Sequence, residues 1–113
     1  MDIGVPAETK TAERRVGLTP AAAGELVAHG HDVRIESGAG EGAGFSDVAY
    51  KEVGATIVGS ADQVFADAEM IVKVKEPLAP ERARLRPHHT LFTYLHLAAD
   101  HLQTEDLLAS GAT

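Results

Sequence analysis

Cysteine is absent from this chain, so disulfide scaffolds, thiolate zinc sites and cysteine nucleophiles are excluded, and a reducing cytoplasm is the expected compartment. Positive charge is scarce. Ten Lys and Arg stand against 17 Asp and Glu, a net charge of -7, and such a chain is a poor partner for nucleic acid or an anionic membrane surface. Long apolar runs are missing too. The longest nearly apolar stretch, Leu91 to Ala99, is about half of what a membrane span needs. The opening MDIGVPAETK has no basic segment followed by an apolar one, so no signal peptide is expected. What remains is 113 residues, 44% hydrophobic and 24% charged, enough for one soluble domain with a single core.

Short apolar runs alternate with helix-like segments. Strands are expected at Ile3 to Pro6, Val33 to Glu36, Ala55 to Val58, Met70 to Lys75 and Leu91 to His96. Thr19-Pro20 pairs a hydroxyl cap with a proline at the first helical position, and that helix stops at Gly30. Ser46 caps a helix through Val53, and Ser60 with Gln63 fits a capping box for a helix through about Ala68. A short helix begins at Pro80 and ends by Pro87, and Thr104 opens a last helix that ends at Gly111. This βαβαβαβαβα order predicts an α/β fold, a Rossmann-like or flavodoxin-like parallel sheet with helices on both faces. Only Ala112-Thr113 follow the last helix, where a sixth strand is expected, so the fold reads as truncated at an element boundary.

In an open parallel sheet, ligands bind beyond the carboxyl ends of the strands. Three candidates fall there. Arg15, in the polar loop after the first strand, carries a planar group that holds a carboxylate through two parallel hydrogen bonds. Lys73 and Lys75 share one face of the fourth strand, where continuous Val, Ile and Leu would be usual. Either Lys75 reaches a ligand oxygen at the strand end, or both lysines snorkel to solvent. His96 ends a fifth strand whose Phe92, Tyr94 and His96 share a face, the place for a proton-transfer group. Each has an ordinary structural alternative. Together, a carboxylate clamp, a second cation and an imidazole suit a small carboxylic acid with a carbonyl or amino group beside it. Glu13, Lys73 and Tyr94 are candidates for supporting contacts.

Two motifs are declined. The glycines of SGAGEGAGF (37 to 45) give G-x-G-x-x-G in no register and follow the second strand, not the first. They are expected to serve a turn or close backbone packing, with no cofactor-binding residue in the chain. The histidines, His88-His89 included, lack zinc-site spacing, so no metal is expected; His29 and His31 flank a helix stop and are expected at the surface.

The strings VPAETKTAERRVGLTP, GHDVRIESGAGEGAGFSD, IVKVKEP and LFTYLHLAA resemble the N-terminal part of alanine dehydrogenase, in order from residue 3 to the last residue. The resemblance implies NAD-dependent, reversible oxidative deamination of L-alanine to pyruvate and ammonium. It implies Arg15 on the substrate carboxylate, Lys75 on the substrate, His96 as general acid/base, and a hexamer as the full-length assembly. It further implies that residues 1–113 are an incomplete substrate domain, that the NAD-binding Rossmann domain lies outside this chain, and that the isolated chain is inactive. The N-terminal domain of nicotinamide nucleotide transhydrogenase shares the ERRV element and is the rival enzyme class. A non-catalytic module that binds a small acid is the other alternative.

Overall fold

Short polar side chains decide where the helices begin. In the computed structural model, which describes residues 1–95, 97 and 100–113, the Thr19 hydroxyl accepts the Ala22 N–H at 3.1 Å and opens α1 (Pro20–Ala28). Ser46 accepts from Ala49 at the start of α2 (Asp47–Glu52), and Ser60 from Gln63 at the start of α3 (Ala61–Asp67). The reciprocal half of the Ser60 capping box is shifted by one residue: the Gln63 side chain accepts the N–H of Gly59 at 2.9 Å. A single turn, α4 (Ala79–Arg82), replaces the longer helix expected up to Pro87. The last helix, α5 (His101–Ser110), starts three residues before the expected Thr104, because the Asp100 carboxylate accepts the Gln103 N–H at 3.0 Å and caps it first.

Five strands, β1 (Asp2–Val5), β2 (Asp32–Glu36), β3 (Thr56–Val58), β4 (Met70–Val72) and β5 (Thr90–Phe92), pair in parallel in the order β3-β2-β1-β4-β5. Of the two doubly wound orders left open above, this is the Rossmann-type one, with its reversal point between β1 and β4. Ile3, Val5, Val33, Ile35 and Val72 bury one sheet face against Ala23 of α1 and Tyr50 of α2. Ile71 buries the other against Val64 and Phe65 of α3, with Leu107 of α5 packed beside it. Each fully buried side chain of this kind contributes about 1.5–3 kcal/mol. At the free edge of β5, Thr113 adds one parallel rung: its N–H donates to the His89 carbonyl at 3.0 Å, and its own carbonyl accepts the Leu91 N–H at 2.7 Å. No helix among the described residues is long and apolar enough to cross a membrane.

Strands four and five are shorter than expected. β4 ends at Val72 and β5 at Phe92, although single backbone bonds continue between them, from the Lys73 N–H to the Phe92 carbonyl at 3.0 Å. Phe92 and Tyr94 are exposed, 68% and 77%, rather than packed on a covered sheet face.

Candidate active site at the sheet reversal

The carboxyl ends of β1 and β4 lie side by side at the reversal point, and the long loop after β1 folds over them. Gly17 makes the approach possible: a Cβ there would stand 2.5 Å from the Val72 carbonyl oxygen at the end of β4. The loop is tied down along its length. Ala7 donates its N–H to Glu36 at the end of β2, and the Lys10 ammonium pairs with the buried Glu76. A tight turn closes with the Glu13 N–H on the Lys10 carbonyl at 3.0 Å, and Ala12 within it takes φ 65°, the left-handed region that an alanine enters at a cost of about 1–2 kcal/mol. Such strain persists only where surrounding contacts impose it. On its outer side, the loop rests on the glycine-rich turn. A Cβ on Gly42 would meet the Arg14 carbonyl at 3.0 Å, so the expected close backbone packing is what these glycines provide.

Arg15 stands 64% exposed at the mouth of this corner, and its guanidinium closes on Glu13. Nε donates to one Glu13 oxygen at 2.9 Å and Nη2 to the other at 2.7 Å. The Arg15 N–H adds a third bond at 2.9 Å. These hydrogen bonds hold the Glu13 carboxyl down to about 2, and the charges of Arg15 and Lys75 add to the shift. The Glu8 carboxylate and the Tyr94 phenol in turn bear on Arg15. Lys75 bears on Glu13, and Tyr94 on Arg15, through charge. Glu13 takes Nε and one Nη2 proton of Arg15 and leaves the end-on edge, Nη1 with the other Nη2 proton, for a second carboxylate.

The two lysines expected to share a strand face part company. Lys73 neither reaches a ligand nor snorkels to solvent. Its side chain is 1% exposed and its ammonium bridges Glu8 at 3.2 Å and Glu81 at 2.9 Å, whose side chains are 2% and 4% exposed. Lys75 lies past the end of β4 rather than within it. Its N–H donates to Glu8 at 3.1 Å and its carbonyl accepts the Thr93 hydroxyl at 3.0 Å. Its half-buried side chain makes no ion pair among the described residues. His96 lies outside the described residues.

Sequence reasoning missed Glu8. Its partners are 65 to 67 positions away, and no spacing rule joins them. The only signal was the pair of lysines in an otherwise apolar strand, which demanded a counter-charge. His89 was also missed, having been given no role. It is 1% exposed, accepts the Arg86 N–H at Nδ1 (2.9 Å), and donates from Nε2 to the Phe65 carbonyl at 2.7 Å, joining α3 to the start of β5. His29 is exposed as expected, whereas His31 is only partly so, with its Nδ1 buried and unpaired among the described residues.

The glycine-rich turn does not fit a dinucleotide's pyrophosphate. The place of a Cβ on Gly40 is 2.7 Å from the Tyr50 ring, and that on Gly42 is against Arg14, so the chain's own atoms fill the space a pyrophosphate would need. Nor do three or more His, Asp or Glu among the described residues form a metal-holding group.

Known proteins with this sequence and shape fall into one group. The family described as "Alanine dehydrogenase/PNT, N-terminal domain" matches residues 4–113. All 113 residues align with the alanine dehydrogenases of Mycolicibacterium smegmatis and Bacillus subtilis, at 54% and 49% identity, over 30% of each. The chain therefore spans about 30% of the length of the curated relatives it matches. A solved L-alanine dehydrogenase superposes on the whole chain with a TM-score of 0.97 at 50% identity, over 31% of its own length. A transhydrogenase from Sinorhizobium meliloti does so with a TM-score of 0.92 at 26% identity, over 33% of its length. With a Rossmann-type sheet and this likeness along its full length, the chain belongs to the alanine dehydrogenase/PNT N-terminal domain family.

Proposed function

We propose that residues 1–113 are the substrate-holding part of an NAD-dependent alanine dehydrogenase, which interconverts L-alanine with pyruvate and ammonium. One observation carries this reading: a carboxylate, that of Glu13, already lies bidentate on Arg15 and within the field of Lys75. The loop that carries Arg15 is bonded through Glu8 to the Lys75 N–H at the sheet reversal, where doubly wound sheets take their ligands, and the Lys75 charge favours a carboxylate there. The greater identity to alanine dehydrogenases, 49–54% against 26% for the transhydrogenase, favours a substrate acid over a second nucleotide.

In this reading the end-on edge of Arg15 takes the carboxylate of alanine or pyruvate, while Glu13 holds the guanidinium in plane. Lys75 donates to the neighbouring oxygen and stabilises negative charge as it develops there. His96, by its position after Tyr94, moves the proton to and from that oxygen. Tyr94 bounds the open side. NAD would supply the hydride acceptor, held by residues outside these 113, whose glycine-rich turn is filled by Tyr50 and Arg14. A hexamer in the cytoplasm is the expected setting.

The test is a chimera in which this chain replaces the matching residues of the Mycolicibacterium smegmatis relative. Lys75→Ala should lower turnover at least tenfold while the assembly persists, and Arg15→Lys should chiefly raise the KM for pyruvate. Near-normal turnover in the first variant, or an unchanged KM in the second, overturns the assignment. Oxidation of L-alanine by NAD with the parent chimera separates it from a transhydrogenase.

A further inference from the structure

The buried charges beneath the site have an arrangement that packing alone does not require. Glu8 lies three residues beyond the end of β1, and its carboxylate reaches across to the end of β4. One oxygen accepts the Lys73 ammonium at 3.2 Å and the Lys75 N–H at 3.1 Å; the other accepts the Val74 N–H at 3.1 Å. Two consecutive backbone donors that a longer β4 would spend on a neighbouring strand are spent on one side chain. The second carboxylate of the cluster, Glu81, takes the Lys73 ammonium, the Leu78 N–H at 3.0 Å and the Thr9 hydroxyl at 3.3 Å. Two carboxylates and one ammonium leave a buried excess of one negative charge. Three backbone N–H groups and one hydroxyl satisfy it, as burial requires.

Lys75 is gripped on both sides as a result. Glu8 holds its N–H, and the Thr93 hydroxyl holds its carbonyl. We propose that Glu8 is a positioning residue: by taking the Val74 and Lys75 amides it fixes the backbone from which the Lys75 side chain leaves, and so sets where the ammonium meets the substrate. This rests on the substrate role given to Lys75 above. Glu8 itself belongs to the loop that carries Arg15, so its bonds to the Val74 and Lys75 amides tie that loop and the lysine-bearing strand end into one corner. Supporting contacts of this kind hold a reacting group in its productive geometry, and a displacement of about 1 Å costs up to about a hundredfold in rate.

A variant at Glu8 can keep the fold. Removing its charge leaves Lys73 paired with Glu81 in a one-to-one ion pair, a better balanced cluster than the present one. Glu8→Ala releases both amides. Glu8→Gln keeps one acceptor oxygen and turns the other into an NH2 group, which cannot accept the remaining N–H.

In the chimera described above, Glu8→Ala should lower kcat for pyruvate reduction at least tenfold with KM changed less than about threefold, and Glu8→Gln should fall between it and the parent. The deciding comparison is the double variant. If Glu8 acts through Lys75, adding Glu8→Ala to Lys75→Ala should cost less than twofold more, whereas a merely structural role makes the two losses multiply. Should Glu8→Ala fail to fold or assemble, Glu8→Gln carries the same cycle. Multiplying losses, or a folded Glu8→Ala within twofold of the parent, overturn the positioning role and leave the Lys75 assignment standing. Near-normal activity of Lys75→Ala alone overturns both.

Discussion

Two ion networks cross the same corner of this fold, and they differ in what water can reach. Lys73, Glu8 and Glu81 are sealed, with side chains 1–4% exposed, whereas Arg15, bound just as squarely to Glu13, is 64% exposed. The sealed ammonium cannot be given up: both carboxylates lose their counter-charge without it, so the cluster acts as a rigid brace between the loop after β1, the end of β4 and α4. Arg15, by contrast, keeps its guanidinium in water over a Glu13 carboxylate that is 6% exposed, so the free edge of the arginine can be shared with a ligand. The chain therefore places the charges that must not move beneath those that must stay available. Glu8 and Arg15 belong to one loop, and sequence alone does not tell which is sealed, because burial is decided by what folds over each residue.

Lys73→Met should produce the largest effect. It leaves Glu8 and Glu81 buried and facing each other without their ammonium, and should cost about 3–5 kcal/mol in urea unfolding. A loss no greater than that of a surface substitution would erase the distinction between the two networks. An intermediate effect is expected from pH through a third buried polar group. Burial, before any other influence, pushes the His89 imidazole below its ordinary value, and its Nδ1 accepts an N–H that a second ring proton would oppose. The unfolded chain then takes up the proton more readily than the folded one. This contribution to stability is complete above about pH 6.5 and is lost as pH falls towards the lowered folded value. The melting temperature should fall by a few degrees between pH 7.5 and pH 5.5, and His89→Gln should flatten that part of the curve; an equal slope in both proteins removes His89 from the explanation. The smallest effect on stability should come from Arg15→Ala: the guanidinium is exposed and the Glu13 carboxylate it leaves keeps the N–H of residue 15, so the urea midpoint should move far less than in Lys73→Met. A clear fall would mean that Arg15 braces the fold as Lys73 does.

Much of the fold could be read from local chemistry. Thr19-Pro20, Ser46 and Ser60 begin helices because each hydroxyl has an N–H three residues on to capture, a requirement visible in the sequence itself. The alternation of strands and helices gave the parallel sheet for the same reason. Boundaries failed where a distant or competing side chain intervened. Asp100 offered a cap ahead of Thr104, and Glu8 took the amides that would have carried β4 on to Lys75. The site was legible in part. Arg15 and Lys75 stand out as residue types unsuited to where the pattern puts them, and the Lys75 N–H is bonded to Glu8 of the loop that carries Arg15. Lys73 was expected to share a face with Lys75 as a supporting contact, but its burial between two carboxylates was not legible. Glu8 was invisible because a carboxylate in a polar loop needs no explanation until its partners, more than sixty residues on, are seen.

The most direct measurement is a crystal structure of the chimera with pyruvate bound. The pyruvate carboxylate should lie on the end-on edge of Arg15, with Glu13 still on the side-on edge and the keto oxygen within hydrogen-bond distance of the Lys75 ammonium. Pyruvate bound away from the sheet reversal, or at it with neither Arg15 nor Lys75 in contact, would contradict the assignment of this corner as the place where the substrate is held.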